Sequence, residues 1–509
     1  MTVQEKPASL EAVANLFRAL RGRGIRYCHW KSNTRLELAL RGRTDLDLLV
    51  DRAHSQAFRQ VLFEHDVKPI AAPPGKRYPG LEDYLGFDPA SGQSFHLHVH
   101  YQLVLGEQFV KNYRLPLETQ FLDSVRQQCG VNVPALELEL IVLALRALLK
   151  YRDRDALKDV LSIRSPGLPP HILDEIRSLL AQTTLEQVAE RLARVADVAP
   201  AEVVLEFLRT VVATPRAGYQ FYRLRQRVRQ ALRPYQRYSR PQATLKYFQE
   251  MWRRRRSFLK FSPNRGMTPV NGGVTLALVG ADGAGKSTMC QMLAKWLSWK
   301  LDVHVYYLGS KQPSRLSRGL YLVFRMARRS QRAVARALGE AHLFSRWVGG
   351  LRDGLLCLHH LSIGQDRYRR YLAGRKKALD GSVVIFDRYP LETISTRREY
   401  RLLDGPQIPL TVAGEHGPVI RALARMEEDL YRRFHLPDYL FVLDVSPDVS
   451  MQRKPDHSLA AVEAKTQAVG ELTTTAQRDA GKSRLFHLNA DLPFETVVSQ
   501  LKSKLWEAL

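Results

Sequence analysis

The sequence predicts an α/β protein of several domains: a C-terminal parallel sheet with flanking helices around a phosphate-binding loop, a small N-terminal α/β domain, and a helical, strongly basic middle region. Three observations carry this. Residues 280–288 (GADGAGKST) meet the pattern G-x-x-x-x-G-K-[ST] at every fixed position. Short apolar runs alternate with helix-period segments on both sides of the middle region. The 509 residues exceed what one ordinary core organises, so two to four domains are expected. The spacing places them at 1–130, 131–268 and 269–509.

The chain opens with an amphipathic helix ending near Leu20, then a strand at 25–30, a helix at 36–40, a strand at 46–50 and a helix at 54–64. Apolar strand-like pieces follow around 67–71 and 95–103, with Pro73-Pro74-Gly75 and Pro89-Ala90-Ser91-Gly92 as turns. In 42–50 (GRTDLDLLV), Asp45 and Asp47 stand at i and i+2, which puts both carboxylates on one side of a strand. Paired acids of this kind can bind magnesium and, with it, a nucleotide triphosphate. His96, His98 and His100 share one face of a later strand, where they can ligate zinc or another transition metal, or serve as partly buried or phosphate-facing imidazoles.

From about 134 to 213 the text is helical, with Leu136, Leu140, Leu143, Leu145, Leu148 and Leu149 closely spaced and Ser165-Pro166-Gly167-Leu168-Pro169-Pro170 as a break. A helical bundle is expected there. Residues 216–265 carry fifteen Lys or Arg against one acid, Glu250, and hold over half of the chain's net charge of +26. Aromatic residues such as Tyr219, Tyr235, Phe248 and Trp252 are interleaved with the charges. The segment reads as a surface for nucleic acid or an anionic membrane, or as a solvated helical linker.

In the C-terminal half, strands are expected at 274–279, 303–308, 383–386, 439–443 and 485–488, with helices between them and a last helix at 494–505. A basic, mostly helical insertion spans 314–378. In the loop, Gly280, Gly283 and Gly285 let the backbone bend so that N–H groups meet phosphate oxygens, with Ala284 and Thr288 completing the cradle. Lys286 supplies a cation and the Ser287 hydroxyl a magnesium ligand. The apolar run 383–386 ends in Asp387-Arg388, where a parallel sheet presents its ligands. Asp387 can hold magnesium directly or through water, and Arg388 can steady a phosphate.

Over 274–509 these residues make the chain resemble the thymidylate kinase family within the nucleoside and nucleotide kinases. GADGAGKST has the family's G-x-D-G-x-G-K-[ST]-T form, which implies that Asp282 approaches the acceptor. Gln365-Asp366-Arg367-Tyr368 looks like the family's Asp-Arg segment, which implies a contact of Arg367 with acceptor phosphate. Residues 443–449 (LDVSPDV) resemble the strand before the family's lid, so Arg453 and Lys454 stand where lid cations close over the transferred group; an ordinary exposed basic pair is the alternative. The resemblance implies ATP and Mg2+ as cofactors and transfer of the γ-phosphoryl group to a nucleoside monophosphate or similar phosphorylated acceptor. Lys286, Asp387, Arg388 and Arg453 are the catalytic residues it implies. The chain departs from the family at 306–311 (YYLGSK) and 390–393 (PLET), so phosphoryl transfer carries over more firmly than thymidylate.

Over the first 105 residues or so, Asp45 and Asp47 with Lys31-Ser32 upstream resemble the nucleotidyltransferase superfamily, in its minimal or antitoxin-like branch. That implies a third carboxylate from a neighbouring strand, but 95–100 (FHLHVH) offers histidines instead. The rival reading of the whole is a nucleotide-regulated protein with degenerate catalytic domains that binds nucleic acid or a membrane surface.

No apolar run approaches the roughly 20 residues of a membrane helix, and the four cysteines have no paired spacing. The first twenty residues lack a signal-peptide core, so a cytoplasmic location is expected. The expected partners are the phosphorylated acceptor, an anionic polymer or surface at 216–265, and a second copy of the chain.

Overall fold

The computed structural model describes residues 9–73, 76–107, 109–151, 168–213, 218–258, 266–390, 405–408, 417–454 and 484–509, with isolated positions between 459 and 469. Of the segments singled out above, Pro74-Gly75, Ser165 to Gly167 and Leu391 to Thr393 lie outside these, as do residues 216–217 and 259–265 of the basic segment. The chain divides into two compact units, 1–265 and 266–509.

In the first unit, helix Glu11–Gly22 buries Val13, Leu16, Phe17 and Leu20, the i, i+3, i+4, i+7 stripe of an amphipathic helix. It packs against a sheet built from β1 (Tyr27–His29), β2 (Leu46–Val50), β3 (Lys68–Ala71), β4 (Leu81–Asp88) and β5 (Gln93–His100), in the order β1-β2-β5-β4-β3. β2 and β5 run parallel; the other pairs are antiparallel. The sequence gives no clear signal for β4, because LEDYLGFD mixes three acids with a glycine. Tertiary packing makes it a strand: Gly86 pairs with Phe95, whose ring lies 2.1 Å from where a Cβ on Gly86 would stand.

Two hairpins follow, β6 (Leu103–Leu105) with β7 (Tyr113–Leu115), and β8 (Arg126–Gln128) with β9 (Val131–Val133). The boundary expected at 130/131 falls in the turn of the second hairpin, where Cys129 and Gly130 both take positive φ. It is not a domain boundary. Val131 and Val133 belong to the core around the first helix. Helix Leu136–Lys150, apolar nearly all round, shares another core with Cys28, Trp30 and Leu49 of the sheet and with helices Pro170–Leu180, Leu185–Ala193, Ala201–Ala213 and Gly218–Ala231. The α/β part and the bundle are therefore one folding unit.

The same core corrects the reading of the first half of the basic segment as a linker. Phe221, Leu224, Val228 and Leu232 are fully buried in it. Arg223 and Arg227 pair with Glu206, and Arg227 also reaches Glu202 at 3.3 Å. The helix Arg240–Phe258 exposes Leu245, Phe248, Met251 and Trp252, while Arg253 pairs with Glu250 at 2.8 Å.

In the second unit, β10 (Thr268–Pro269) leads into β11 (Val274–Gly280), β12 (Val303–Tyr307), β13 (Val383–Asp387), β14 (Tyr439–Asp444) and β15 (Arg484–Asn489). The sheet β12-β13-β11-β14-β15 is parallel throughout. Every residue of β11 and β13 is buried, as continuous apolar runs in a parallel sheet require. Helices Lys286–Leu297, Leu343–Leu379 and Phe494–Ala508 pack on it. From central β11 the next crossover goes to β12 on one side, and a later one brings β14 to the other. The carboxyl end of β11 thus sits at a switch point, where such sheets bind ligands. The expected boundary at 268/269 lies beside the observed division. No helix among the described residues is long and apolar enough to cross a membrane.

Candidate functional site

At the carboxyl end of β11 the chain turns through Gly280, Gly283 and Gly285, with φ of 153°, 86° and 84°. Gly285 caps helix Lys286–Leu297 in the left-handed region, which favours glycine for want of a Cβ. Gly283 also lies against Ser450, whose hydroxyl donates to the Asp282 carbonyl at 2.6 Å. Lys286, only 6% exposed, donates to the carbonyls of Gly280 and Ala281 at 2.8 and 2.7 Å and so folds over the loop. Ala284 is buried beneath it, and Thr288 follows in the helix's first turn.

The Ser287 hydroxyl donates to Asp387 Oδ2 at 2.7 Å. β11 and β13 are adjacent and in register, Leu278 opposite Asp387, so two motifs a hundred residues apart meet here. Asp387 Oδ1 is buried with no hydrogen-bond partner among the described residues. Leaving such an oxygen unsatisfied costs on the order of 1–3 kcal/mol, so an oxygen-seeking cation at this point suits the donor set. Arg388 sits at φ 64°, a strained conformation for a side-chain-bearing residue, and places Nη1 3.8 Å from Asp282 Oδ1. Its stem passes over Gly309, where a Cβ would stand 2.7 Å from Arg388 Cδ.

These residues line one wall of a cleft of about 760 Å³ that includes Gly280, Asp282, Lys286 and Arg388. The other walls come from the helical insertion and from helix Pro418–Tyr431. Arg367, 3% exposed, lines the cleft and donates to the Tyr431 hydroxyl; Tyr431 stacks on Phe434 at 5.5 Å. Its neighbour Asp366 turns away to accept from Ser314 N and Ser317 Oγ, at 2.8 and 2.6 Å. Burial pushes the Asp366 carboxyl up, but these hydrogen bonds outweigh it and hold its pKa below the usual value. Burial, then His359 and Arg367, push His360 down to about 4, so it stays neutral at physiological pH.

Arg453, at the end of helix Pro447–Arg453, meets the backbone of the phosphate loop. Its guanidinium donates to the carbonyls of Gly283 and Ala490, at 3.3 and 3.0 Å, and it is not among the residues that line the cleft. Arg318, Tyr321, His359, Gln407 and Glu427 line the cleft without having been singled out in the sequence. Glu427, 1% exposed, accepts from the backbone N–H groups of Gln407 and Ile408 at 2.9 and 2.8 Å. In the sequence it is one of three successive acids, Glu427, Glu428 and Asp429, in an amphipathic helix, and no spacing marks it.

The first unit gathers a second group of titratable side chains. The β2–β5 register sets Asp47 opposite His98, and the β4–β5 register sets Asp83 opposite His98 from the other side. Asp83 is thus a further carboxylate beside the histidine row, supplied by β4. Asp47 contacts His98 Nδ1 at 2.9 Å and Lys31 Nζ at 2.6 Å. Burial raises the Asp47 pKa, but Lys31, His100 and His98 together hold it well below the usual carboxylate range. Asp45 is more exposed and meets His96 Nδ1 at 3.0 Å. Asp45 and Asp47 thus go to different imidazoles. Burial, with Lys31 next, lowers the Lys111 pKa to about 8.

No protein-family profile matches this chain. It is 29% identical over 209 residues to the uncharacterized ATP-binding protein YghS of Escherichia coli (strain K12), covering 40% of this chain and 82% of that one. It is 24% identical over 234 residues to the uncharacterized ATP-binding protein YghR of the same strain, covering 44% and 84%. Among solved structures, a deoxyadenosine kinase from M. mycoides with bound dATP aligns at 15% identity and a TM-score of 0.28, covering 46% of this chain and 98% of that one.

Proposed function

We propose that the second unit is an ATP-dependent phosphotransferase that passes the γ-phosphoryl group to a nucleoside monophosphate or a similar phosphorylated acceptor in the 760 Å³ cleft. One observation carries the reading: Ser287 and Asp387 meet at 2.7 Å at the mouth of a strand–glycine loop–helix unit, with Asp387 Oδ1 left unpaired among the described residues. The names of the two E. coli relatives, both ATP-binding proteins, support it.

Ser287 and Asp387 are the residues that would hold Mg2+, which neutralises phosphate charge when bound. The loop backbone and Lys286 would cradle the phosphates of ATP. Arg388 and Arg367 put positive charge on the cleft side, where the acceptor oxygen attacks the γ-phosphorus and the bond to ADP breaks. Phosphoryl transfer asks the protein chiefly for positioning and charge, which these cations provide. Asp282 and Arg388 together would orient the acceptor, and Tyr321, Leu322 and Ile363 give it an apolar wall.

The test is ADP formation by the full chain with ATP and Mg2+, across nucleoside monophosphates, phosphorylated sugars and their unphosphorylated counterparts. The expected result is turnover that rises with one phosphorylated class and is lost in Asp387→Asn. ADP release that no acceptor changes, or that survives this substitution, overturns the reading.

A further inference from the structure

The first unit contains three potential ligand atoms arranged as a metal would arrange them. Asp47 Oδ1, His98 Nδ1 and His100 Nε2 form a triangle with sides of 2.9, 3.3 and 3.7 Å. A divalent ion bound at about 2.0–2.1 Å in a tetrahedral shell needs its ligands about 3.3–3.4 Å apart. The 3.3 Å side meets this, and the other two bracket it at 2.9 and 3.7 Å. The backbone creates the triangle by register: Asp47 lies opposite His98 across parallel strands, and His98 and His100, two residues apart, share one face of β5.

We infer that Asp47, His98 and His100 form a binding site for a divalent transition-metal ion of zinc-like softness, distinct from the magnesium site proposed for the phosphate loop. Two imidazoles and one carboxylate suit zinc or cobalt better than magnesium, which prefers an all-oxygen shell. A fourth position is left for water or an anion.

The surroundings support this assignment. A metal-bound imidazole is usually oriented through its second nitrogen by a carboxylate. Asp83 Oδ1 stands 3.9 Å from His98 Nε2, just beyond hydrogen-bond range, and 3.2 Å from His96 Nε2, so a carboxylate faces the far side of the histidine row. Trp30 packs edge-on against His100 with ring centroids 5.1 Å apart, fixing that ring. Lys31 Nζ, 2.6 Å from Asp47 Oδ1 and 4.9 Å from the Trp30 ring centre, is the competing cation. If Lys31 alone balances Asp47, the group is a structural ion pair and binds no metal. If the site takes a metal, Lys31 is placed to hold an anion in its fourth position.

The full chain, stripped with a chelator, would be dialysed against Zn2+ and its metal content measured, and then titrated with Co2+ while visible absorption is recorded. The expected result is one tightly held Zn2+ per chain and the intense d–d absorption of four-coordinate Co2+. His98→Gln and His100→Gln should each weaken Zn2+ binding at least about 100-fold, and Asp83→Asn, a positioning change, by about 10-fold. Asp387→Asn should leave Zn2+ content unchanged, which separates this site from the phosphate loop. A folded parent that takes up no Zn2+ overturns the inference. So does Zn2+ content that falls in Asp387→Asn and persists in His100→Gln. Should a histidine variant fail to fold, the Co2+ spectrum of the parent decides: six-coordinate or absent absorption overturns the site.

Discussion

The two sheets use a strand aspartate in opposite ways. Asp387 ends a parallel strand beside a glycine-rich loop, accepts one hydrogen bond from the Ser287 hydroxyl and keeps its other oxygen open. Asp47 lies within a strand and already meets a lysine and two imidazoles. The first carboxylate is set up by a local motif whose partner arrives from the adjacent strand. The second is defined almost wholly by what neighbouring strands bring to it. A site of the first kind can be read from spacing, whereas one of the second kind exists only once the register is known.

This contrast can be tested, beginning with the largest effects. Lys286→Ala should lower acceptor-dependent ADP formation on the order of 10²- to 10³-fold, the scale for losing one preorganised donor to transition-state charge. Steady-state kinetics of the full chain with its best acceptor would show it, and equal turnover in parent and variant would remove the loop from the chemistry. Metal binding at Asp47 should be untouched by the same change.

In the first unit, Gly86→Ala should destabilise by about 1–3 kcal/mol or more, because the new Cβ would stand 2.1 Å from a buried ring carbon of Phe95. Urea unfolding gives the measurement; a midpoint equal to the parent's would mean that β4 is not paired with β5 as described.

Glu139 offers a pH test. It is 2% exposed, and burial raises its pKa to about 7 despite the hydrogen bond from Asn33 N at 3.0 Å. The folded state therefore holds the proton more tightly than the unfolded state. Its contribution is complete below the ordinary glutamate range and is lost as pH rises through about 7. Glu139→Gln should melt close to the parent at low pH and above it at high pH; a constant difference across that range would contradict the shift.

The smallest effect expected is that of Glu206→Gln, which removes partners from Arg223 and Arg227 on a largely exposed surface. It should cost less than about 1 kcal/mol and shrink further with added salt. A larger, salt-independent loss in thermal melts would show those arginines to be structural.

Much of the second unit was legible because its signals are local. A buried parallel strand is a continuous apolar run, and the phosphate loop needs glycine, lysine and serine at fixed spacing. β11 to β15 therefore fall within a residue or so of expectation, and Lys286, Ser287, Asp387, Arg388, Arg367 and Asp282 lie in or beside one cleft. Arg453 reaches the loop's Gly283 carbonyl without lining the cleft, and its position depends on how the chain leaves β14, which spacing does not encode. Glu427 and the insertion's cleft residues were missed for the same reason: each sits in an amphipathic helix whose pattern fixes a face and not its neighbour.

The first unit was less legible. Its helices and β2 follow from periodicity, yet β4 was hidden by Gly86 and three acids, and the boundary at 130/131 cut through a hairpin whose valines fill the core. The sequence by itself determined the two α/β regions, the helical middle and the phosphate loop, since these depend on contacts a few residues apart along the chain. Only the tertiary structure decided that the bundle shares its core with the first sheet and that the arginines at 223 and 227 pair with acids. It alone brought Asp47, Asp83, His98 and His100 together. Strand order and register carry residues dozens of positions apart within hydrogen-bond range, and no periodicity along a single strand specifies its partner.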